Sequence, residues 1–251
     1  MSEAVKIVTA RAAIIIALMA AWEISVRLAG ESDLIAPPGA IVSALFTEIL
    51  PDDAIREAIL LTLIEVAAAY GLAIACGLAI GLAVGSSELG RRGIYPIVLL
   101  FYAIPQVVLL PLFTLFFGIG VAAKIAFGFS HGVFPIIVNT AAGMRGVNPL
   151  YLAAARAMGA RPRDIFSDVI FPHMTASFFT GLRLAMTMTL LGVILAELYV
   201  STAGVGYFTK LYAESFDPAP LFALIGLLAL MAILLNEGVR AAERRFTRWK
   251  E

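Results

Sequence analysis

The stretch AILLTLIEVAAAYGLAIACGLAIGLAVGS, residues 58–86, decides the fold class of this chain. It holds a single charged residue, Glu65, and it exceeds the roughly 20 apolar residues that an α-helix needs to cross a bilayer. Small residues recur at every fourth position, at Ala73, Gly77, Gly81 and Gly85. Because this spacing puts them on one face of a helix, and small faces let helices approach closely in lipid, we predict a packing seam there.

Apolar stretches of this kind recur along the whole chain. They lie at about 12–30, 58–86, 94–118, 121–143, 176–201 and 220–240. Hydrophobic residues make up 61% of the 251 positions and charged residues 14%, which is too little charge to cover the surface of a soluble domain. The sequence therefore predicts an all-α integral membrane protein with six transmembrane helices. We expect one transmembrane domain over 1–251, with its core helices at about 58–240.

The charged residues between these stretches are distributed unevenly. Thirteen of the eighteen lysines and arginines fall in segments on one side: Lys6, Arg11, Arg91, Arg92, Arg145, Arg156, Arg161, Arg163, Arg240, Arg244, Arg245, Arg248 and Lys250. The alternate segments carry Glu31, Asp33, Glu48, Asp52, Asp53, Glu57, Glu214 and Asp217, against the cations Arg56, Lys124 and Lys210. Because cytoplasmic loops are enriched in lysine and arginine, both termini are predicted to lie in the cytoplasm.

The third and fourth stretches contain prolines, at Pro96, Pro105, Pro111 and Pro135. A proline inside a helix removes a backbone hydrogen bond, and the freed carbonyl must be satisfied by protein or water rather than by lipid. We predict a discontinuous third helix beside a water-accessible path. A simple proline kink is the alternative.

The segment at 144–175 is too polar to span a membrane, and it begins with the signals of a short helix. Asn148 can cap this helix, and Pro149 fits its first turn. Gly159 supplies a left-handed residue at its end. We therefore predict a short helix that ends at Gly159, on the side assigned to the cytoplasm.

A second short helix is predicted directly after the first. Pro162 opens it, Asp164 lies in its first turn and Pro172 closes it. Its apolar residues share one face at helical spacing: Ile165, Phe166, Val169 and Ile170. The two helices form a rigid projection at about 148–172, here called the two-helix loop, whose shape suits docking to another protein.

The two-helix loop resembles the signature of binding-protein-dependent ABC importer permeases. That signature reads E-A-A, three residues, G, nine residues and I-x-L-P. At the same spacing this sequence has Ala153-Ala154-Ala155, Gly159 and Val169-Ile170-Phe171-Pro172, with Ala153 where the family pattern has glutamate. The resemblance implies a cytoplasmic coupling loop that contacts an ATPase. The implied coupling residues are Ala153, Ala154, Ala155, Gly159, Arg161, Asp164, Ile165, Phe166 and Pro172.

Residues along most of the chain are similar to the nitrate/sulfonate/taurine branch of these permeases. They are Trp22-Glu23, Ile104-Pro105, Leu110 to Phe113, Phe117 to Gly120 with Lys124, Phe134-Pro135, Asn139-Thr140, Gly181 to Ala185, Ala196-Glu197 and Gly204 to Tyr207. The resemblance implies a type I ABC importer permease in the bacterial cytoplasmic (inner) membrane. Its implied partners are a second copy of itself, two cytoplasmic ABC ATPase subunits, an external solute-binding protein and the lipid bilayer.

The implied cargo is a small polar or anionic organic solute that the external binding protein delivers. The alternative function is a secondary transporter driven by an ion gradient, which would need charged half-helix sites and internal repeats. Neither is clear in this sequence.

The chain shows no signature of chemistry of its own. None of the lysines, Lys6, Lys124, Lys210 and Lys250, follows a glycine, so the sequence has no P-loop for ATP. We expect the chain not to be an enzyme, and ATP and Mg²⁺ to be bound by the partner ATPase. A G-x-S-x-G match at 128–132 lies in an apolar stretch, whereas a hydrolase nucleophile needs a strand-to-helix turn. A formal net charge of zero gives no support for nucleic-acid binding, and no metal site is predicted.

Polar residues within the predicted spans are candidates for a translocation pathway. They are Tyr102, Gln106, His131, Asn139, Arg183 and Glu197. Because ionisable groups are costly in lipid, these side chains are expected to face the protein interior or a cavity. For Arg183 and Glu197, internal pairing between helices is the alternative to a translocation role. His131 is expected to hydrogen-bond a neighbouring helix or to face a cavity.

Overall fold

The computed structural model describes residues 3–30 and 34–246, and this part of the chain contains helices and no β-strand. The helices are α1 (Glu3–Ala29), α2 (Pro38–Ala44), α3 (Asp53–Ser86), α4 (Tyr95–Ala103), α5 (Leu110–Phe117), α6 (Val121–Arg145), α7 (Pro149–Ala157), α8 (Pro162–Ile165), α9 (Phe171–Val200), α10 (Val205–Glu214) and α11 (Pro218–Phe246). Short π-helical turns occur at Leu45–Ile49, Gly90–Ile94 and Phe166–Ile170, and a 3₁₀ turn at Gln106–Leu109. Four charges used to assign the sides, Glu31, Asp33, Arg248 and Lys250, lie outside the described residues.

Within the described residues, five continuous helices are long and apolar enough to cross a membrane. They are α1, α3, α6, the helix that ends with α9, and α11. A sixth candidate span consists of two helical pieces, Gly90–Ala103 and Gln106–Phe117, with a bend of 83° between them. The predicted all-α membrane fold is confirmed, with one of its spans broken.

The break in this span lies at Ile104 and Pro105. Ile104 is extended, with φ −66° and ψ 130°, because the ring of a following proline disfavours helical backbone at the residue before it. Pro105 is also extended, with ψ 99°, and the 3₁₀ turn begins directly after it. The predicted discontinuity is therefore confirmed, and a simple kink is not what the structure shows.

The described residues divide into two compact units, and the first contains the segments up to Leu60 and Ala203–Ala229. Its core comes from α2, the first π turn, α3, α10 and α11, through Ala44, Ile49, Ile55, Val205, Ala223 and Leu224. Trp22 of α1 packs edge-on against Phe222, with ring centroids 6.1 Å apart. Most other described α1 side chains are apolar and exposed, as suits a helix surrounded by lipid.

The second unit contains Leu61–Thr202 and the segment that begins at Leu230. Its core lies between α3, α6 and α9 and includes Val66, Ala69, Ala73, Ile136, Ala185 and Val193, all of them almost inaccessible to solvent. The prediction of one domain over 1–251 stays a prediction.

The glycine stripe of α3 packs directly against α6. A Cβ atom on Gly81 would lie 2.6 Å from Thr140 Cβ, and one on Gly77 would lie 2.8 Å from Ile136 Cβ. Carbon atoms pack at about 3.5–4.0 Å, so the two helices can approach this closely only because α3 has no side chain there. The predicted packing seam is confirmed.

The second helix of the two-helix loop does not close at Pro172, and that prediction was wrong. Residues 162–200 form one continuous helix, in which a π turn joins α8 to α9. The Phe171 amide donates to the Phe166 carbonyl five residues earlier. Because a proline lacks an N–H and its ring clashes with the carbonyl four residues earlier, the wider turn accommodates Pro172 and the helix continues.

Candidate functional site

The first helix of the two-helix loop starts and ends as predicted. Asn148 Oδ1 accepts a hydrogen bond from the Leu150 amide at 2.9 Å, and Pro149 occupies the first turn of α7. Gly159 follows α7 with φ +79°, in the left-handed region. At this angle a glycine costs nothing, whereas a residue with a Cβ is strained.

The start of α8 is fixed by a second cap. Pro162 is its first residue, and the Arg161 amide donates to Asp164 Oδ2 at 3.1 Å. The predicted roles of Pro162 and Asp164 at this helix start are confirmed. Since α7 is capped at its start, ends at Gly159 and is followed by the capped start of α8, the junction between the two helices is defined by the local sequence.

Most of the exposed apolar surface of the two-helix loop belongs to α7 and Met158, which follows it, and Phe171, at the other end of the loop, is 50% exposed. Leu150, Tyr151 and Met158 are 69%, 60% and 81% exposed. Ala153 and Ala154 are also exposed. Clustered exposed apolar side chains on a polar segment are typical of a surface that contacts another protein or a membrane.

The apolar face of α8 points into the chain, contrary to the expectation that Ile165 and Phe166 meet a partner. Ile165 is buried and Phe166 is half-buried. Phe166 lines an apolar cavity of about 220 Å³, together with side chains from α3 and α9 such as Leu78 and Met174. The sequence pattern identified an apolar face correctly, but it could not tell an internal face from a docking face.

A groove of about 480 Å³ lies beside α7. Its walls are Val147, Tyr151, Ala154, Ala155, Met158, Asp168, Val169, Pro172 and His173. Of the predicted coupling residues, the structure thus brings Ala154, Ala155 and Pro172 together. Arg161 and Asp164 do not line this groove and instead cap α8.

The pathway candidates of the broken span and of α6 have diverse surroundings. Tyr102 stacks on Phe134 with ring centroids 5.9 Å apart, next to the break. Gln106 follows the break, and its Oε1 is buried with no hydrogen-bond donor among the described residues. Asn139 Nδ2 donates to the Pro135 carbonyl in the preceding turn at 2.8 Å.

His131 lies in the core of α6 and belongs to no hydrolase site. Its Nδ1 is 2.9 Å from the Phe127 carbonyl, so this nitrogen carries the proton. Ser130 Oγ donates to the same carbonyl at 2.8 Å, inside a continuous helix. A nucleophile elbow needs a strand before the serine, so the G-x-S-x-G match is coincidental.

Arg183 pairs with a residue of the same unit. It forms an ion pair with the Glu243 carboxylate on α11, and this side-chain pair is partly exposed. The contact joins α9 to α11. The translocation role suggested for Arg183 stays a prediction.

A cluster of buried charged residues joins α3, α6 and α9. Lys124 Nζ lies 2.5 Å from Glu65 Oε1 and 3.9 Å from Glu197 Oε1. Thr62 Oγ1 donates to Glu197 Oε1 at 2.7 Å. These four residues, Thr62, Glu65, Lys124 and Glu197, are at most 1% exposed and are called the charged cluster below.

Sequence reasoning missed this cluster. Lys124 was expected among the loop cations, but it lies in the first turn of α6 and is buried. Glu65 and Glu197 are ionisable residues within predicted spans and are expected to face the protein interior, as both do, but nothing in the sequence pairs them with Lys124. A signal was present, because three of the apolar stretches include ionisable residues of opposite sign, namely Glu65, Lys124 and Glu197. A single sequence does not reveal how the helices are oriented about their axes and aligned with one another. The contact between Lys124 and the two glutamates depends on that alignment.

Five candidate membrane spans, a sixth that is broken and a two-helix projection that leads into one of them define the class of the chain: it is a helical membrane protein. The family model described as "Binding-protein-dependent transport system inner membrane component" matches residues 73–248. The chain belongs to this family and is the membrane-spanning permease subunit of an ABC importer. This assignment favours the importer over the ion-driven secondary transporter.

Relatives place the chain in the nitrate/sulfonate/taurine branch. The formylaminopyrimidine transport permease protein ThiX of Halalkalibacterium halodurans is 31% identical, and the match covers 93% of each chain. The taurine transport system permease protein TauC of Escherichia coli is 29% identical, over 85% of this chain and 79% of that one. A solved structure of the MetNI methionine ABC transporter in an inward-facing conformation has a TM-score of 0.67. It is 18% identical and covers 76% of this chain and 95% of its own, so it supports the fold alone.

Proposed function

We propose that this permease works as a homodimer with two cytoplasmic ATPase subunits and an external solute-binding protein. Two copies of the chain would enclose a path that opens alternately to the two sides of the membrane. ATP and Mg²⁺ would be bound by the ATPase subunits, since the chain has no P-loop.

The observation that carries this proposal is the continuity of the two-helix loop with a membrane span. α8, a π turn and α9 form one helix from residue 162 to residue 200. Beside it, α7 presents exposed Leu150, Tyr151 and Met158. A partner that binds α7 and moves would therefore displace the end of α9 directly. ATP binding would draw the ATPase subunits together, and the loop would pass that movement to the membrane helices.

The proposed orientation puts the two-helix loop and both termini in the cytoplasm. It is supported by the cations at this end of the spans, such as Arg91, Arg92 and Arg145. Labelling of single cysteines with a membrane-impermeant maleimide should modify positions near 52 and 214 from outside. Positions near 90 and 160 should react only after the membrane is opened. An externally labelled position 160 would contradict the orientation.

The proposed cargo is a small polar or anionic organic solute. The support comes from relatives, whose names refer to formylaminopyrimidine, taurine, aliphatic sulfonates and nitrate. Because a binding protein would deliver the solute, the choice among these compounds would rest largely with that partner.

The test is reconstitution of the chain in liposomes. Purified alone, it should hydrolyse no ATP. With its co-encoded ATPase inside the vesicles and the binding protein outside, radiolabelled taurine, nitrate and formylaminopyrimidine are offered in turn, and one should accumulate with ATP. Uptake that needs an ion gradient and persists without ATP would contradict the proposal.

A further inference from the structure

The charged cluster lies at the end of the helical core that is opposite the two-helix loop. Lys124 is in the first turn of α6 and Glu197 is in the last turn of α9. The two-helix loop follows the other end of α6 and leads into the other end of α9. Since α9 has 30 residues, the two ends are about 45 Å apart.

Burial and helix dipoles both oppose the charges of this cluster. Taking an ammonium and two carboxylates out of water is costly, and these three groups are at most 1% exposed. A cation in the first turn of a helix and an anion in the last turn also have the unfavourable sign for the helix dipole, as Lys124 and Glu197 do. Neither charge therefore stabilises its own helix.

What the charges do favour is contact between helices. Lys124 of α6 reaches Glu65 of α3 at 2.5 Å and Glu197 of α9 at 3.9 Å. Thr62 of α3 completes the triangle through its hydrogen bond to Glu197. Each of the three helices is thus bonded to the other two, through side chains that lie at the same height along the helix bundle.

We propose that the charged cluster is an ionic clamp, which holds the start of α6 and the end of α9 to α3, about a third of the way along α3, while the two-helix loop displaces the opposite end of α9. The proposal rests on the transport cycle proposed above. While the contacts of the charged cluster are intact, the three helices move as one body. A displacement of the two-helix loop is then transmitted to the opposite side of the membrane. Without these contacts, the helices slide past one another and part of the movement is lost.

The first measurement is the thermal unfolding midpoint of the purified permease in detergent. Lys124→Met strands two buried carboxylates, so the midpoint should fall by on the order of 5–10 °C. Adding Glu65→Gln removes the carboxylate that lay 2.5 Å from the ammonium, and Glu197 keeps its hydrogen bond from Thr62, so the double variant should recover most of that loss. Lys210→Met is the matched control, because Lys210 pairs with Glu214 at 3.7 Å on an exposed surface and should change little.

The second measurement separates a clamp from a merely structural contact. In liposomes containing the complete transporter, the ratio of ATP hydrolysis with the binding protein to that without it reports coupling. The Lys124→Met/Glu65→Gln variant should fold and assemble, yet lose on the order of fivefold in this ratio. Lys124→Arg keeps the cation and should retain both the midpoint and the ratio.

Any one of three results would contradict the proposal of an ionic clamp. Lys124→Met could leave both the midpoint and the ratio unchanged. The double variant could be as unstable as Lys124→Met, or as impossible to purify. It could also recover the midpoint and the full ratio together, which would make the cluster structural only. If the unmodified transporter shows no stimulation, the transport proposal fails, whereas the midpoints still decide whether the helices are held together ionically.

Discussion

The seam between α3, α6 and α9 and the two-helix loop both depend on glycine, for different physical reasons. At Gly132 in the seam, a Cβ atom would lie 2.1 Å from Thr189 Oγ1 and 3.2 Å from Ala73 Cβ. At Gly159 in the loop, nothing lies within 4 Å of that position, but φ is +79°. In the seam, glycine is required because a side chain would fill the space that the neighbouring helix occupies. In the loop, glycine is required because the backbone adopts a positive φ angle. A substitution in the seam should therefore unfold the permease, and one in the loop should uncouple it.

The largest effect is expected for Gly132→Leu. A leucine there meets α3 and α9 at once, so we expect a loss of more than ~3 kcal/mol in the free energy of unfolding, enough to prevent assembly. The measurement is the yield of monodisperse protein in detergent and its thermal midpoint. Gly71→Leu is the control, because Gly71 lies on α3 with nothing within 4 Å. Equal yields and midpoints for the two variants would refute the role given to the seam.

A smaller effect, confined to partner binding, is expected for Tyr151→Glu on the exposed surface of α7. Tyr151 is 60% exposed, so its replacement should leave the thermal midpoint of the permease within about 1 °C. Placing a charge in a surface that a partner covers should weaken ATPase binding by on the order of tenfold. Affinity for the purified ATPase is the measurement, and Tyr151→Phe should bind normally. If Tyr151→Glu binds as tightly as the unmodified chain, α7 is not the docking surface.

The smallest effect is expected for Ala153→Glu, which restores the glutamate of the family pattern. Ala153 is exposed on α7, and glutamate favours helix, so stability should change by less than about 0.5 kcal/mol. ATP-driven uptake should stay near that of the unmodified protein. A severe loss of uptake would show that the position is covered by a partner with no room for a longer side chain.

Much of the fold could be predicted from the sequence, because its signals are local. The length of apolar stretches predicted the spans, the three prolines of the third stretch predicted that this span is broken, and Asn148 with Gly159 predicted the limits of α7. The fourfold spacing of Gly77 and Gly81 predicted the seam. Each of these depends only on residues a few positions apart.

The features that were missed depend on how helices are aligned and rotated. Lys124 meets Glu65 and Glu197 only because α3, α6 and α9 pack with these positions at one level. Pro172 was expected to end a helix, but the π turn before it accommodates the proline ring and the helix continues. Ile165 was expected on a docking surface, yet it packs inward. None of these outcomes follows from local spacing.

The coupling role of the two-helix loop is tested by measurements on Gly159→Val. A β-branched residue at φ +79° is strained by about 1–2 kcal/mol, so the angle between α7 and α8 should change. Gly159→Asn is the matched control, because asparagine tolerates this conformation. Both variants are reconstituted with the ATPase and the binding protein, and ATPase co-purification and ATP-driven uptake are measured. We expect Gly159→Val to fold and insert but to retain little ATPase and little uptake, whereas Gly159→Asn should keep most of both. If Gly159→Val binds its ATPase and transports like the unmodified protein, the two-helix loop does not couple the permease to ATP hydrolysis.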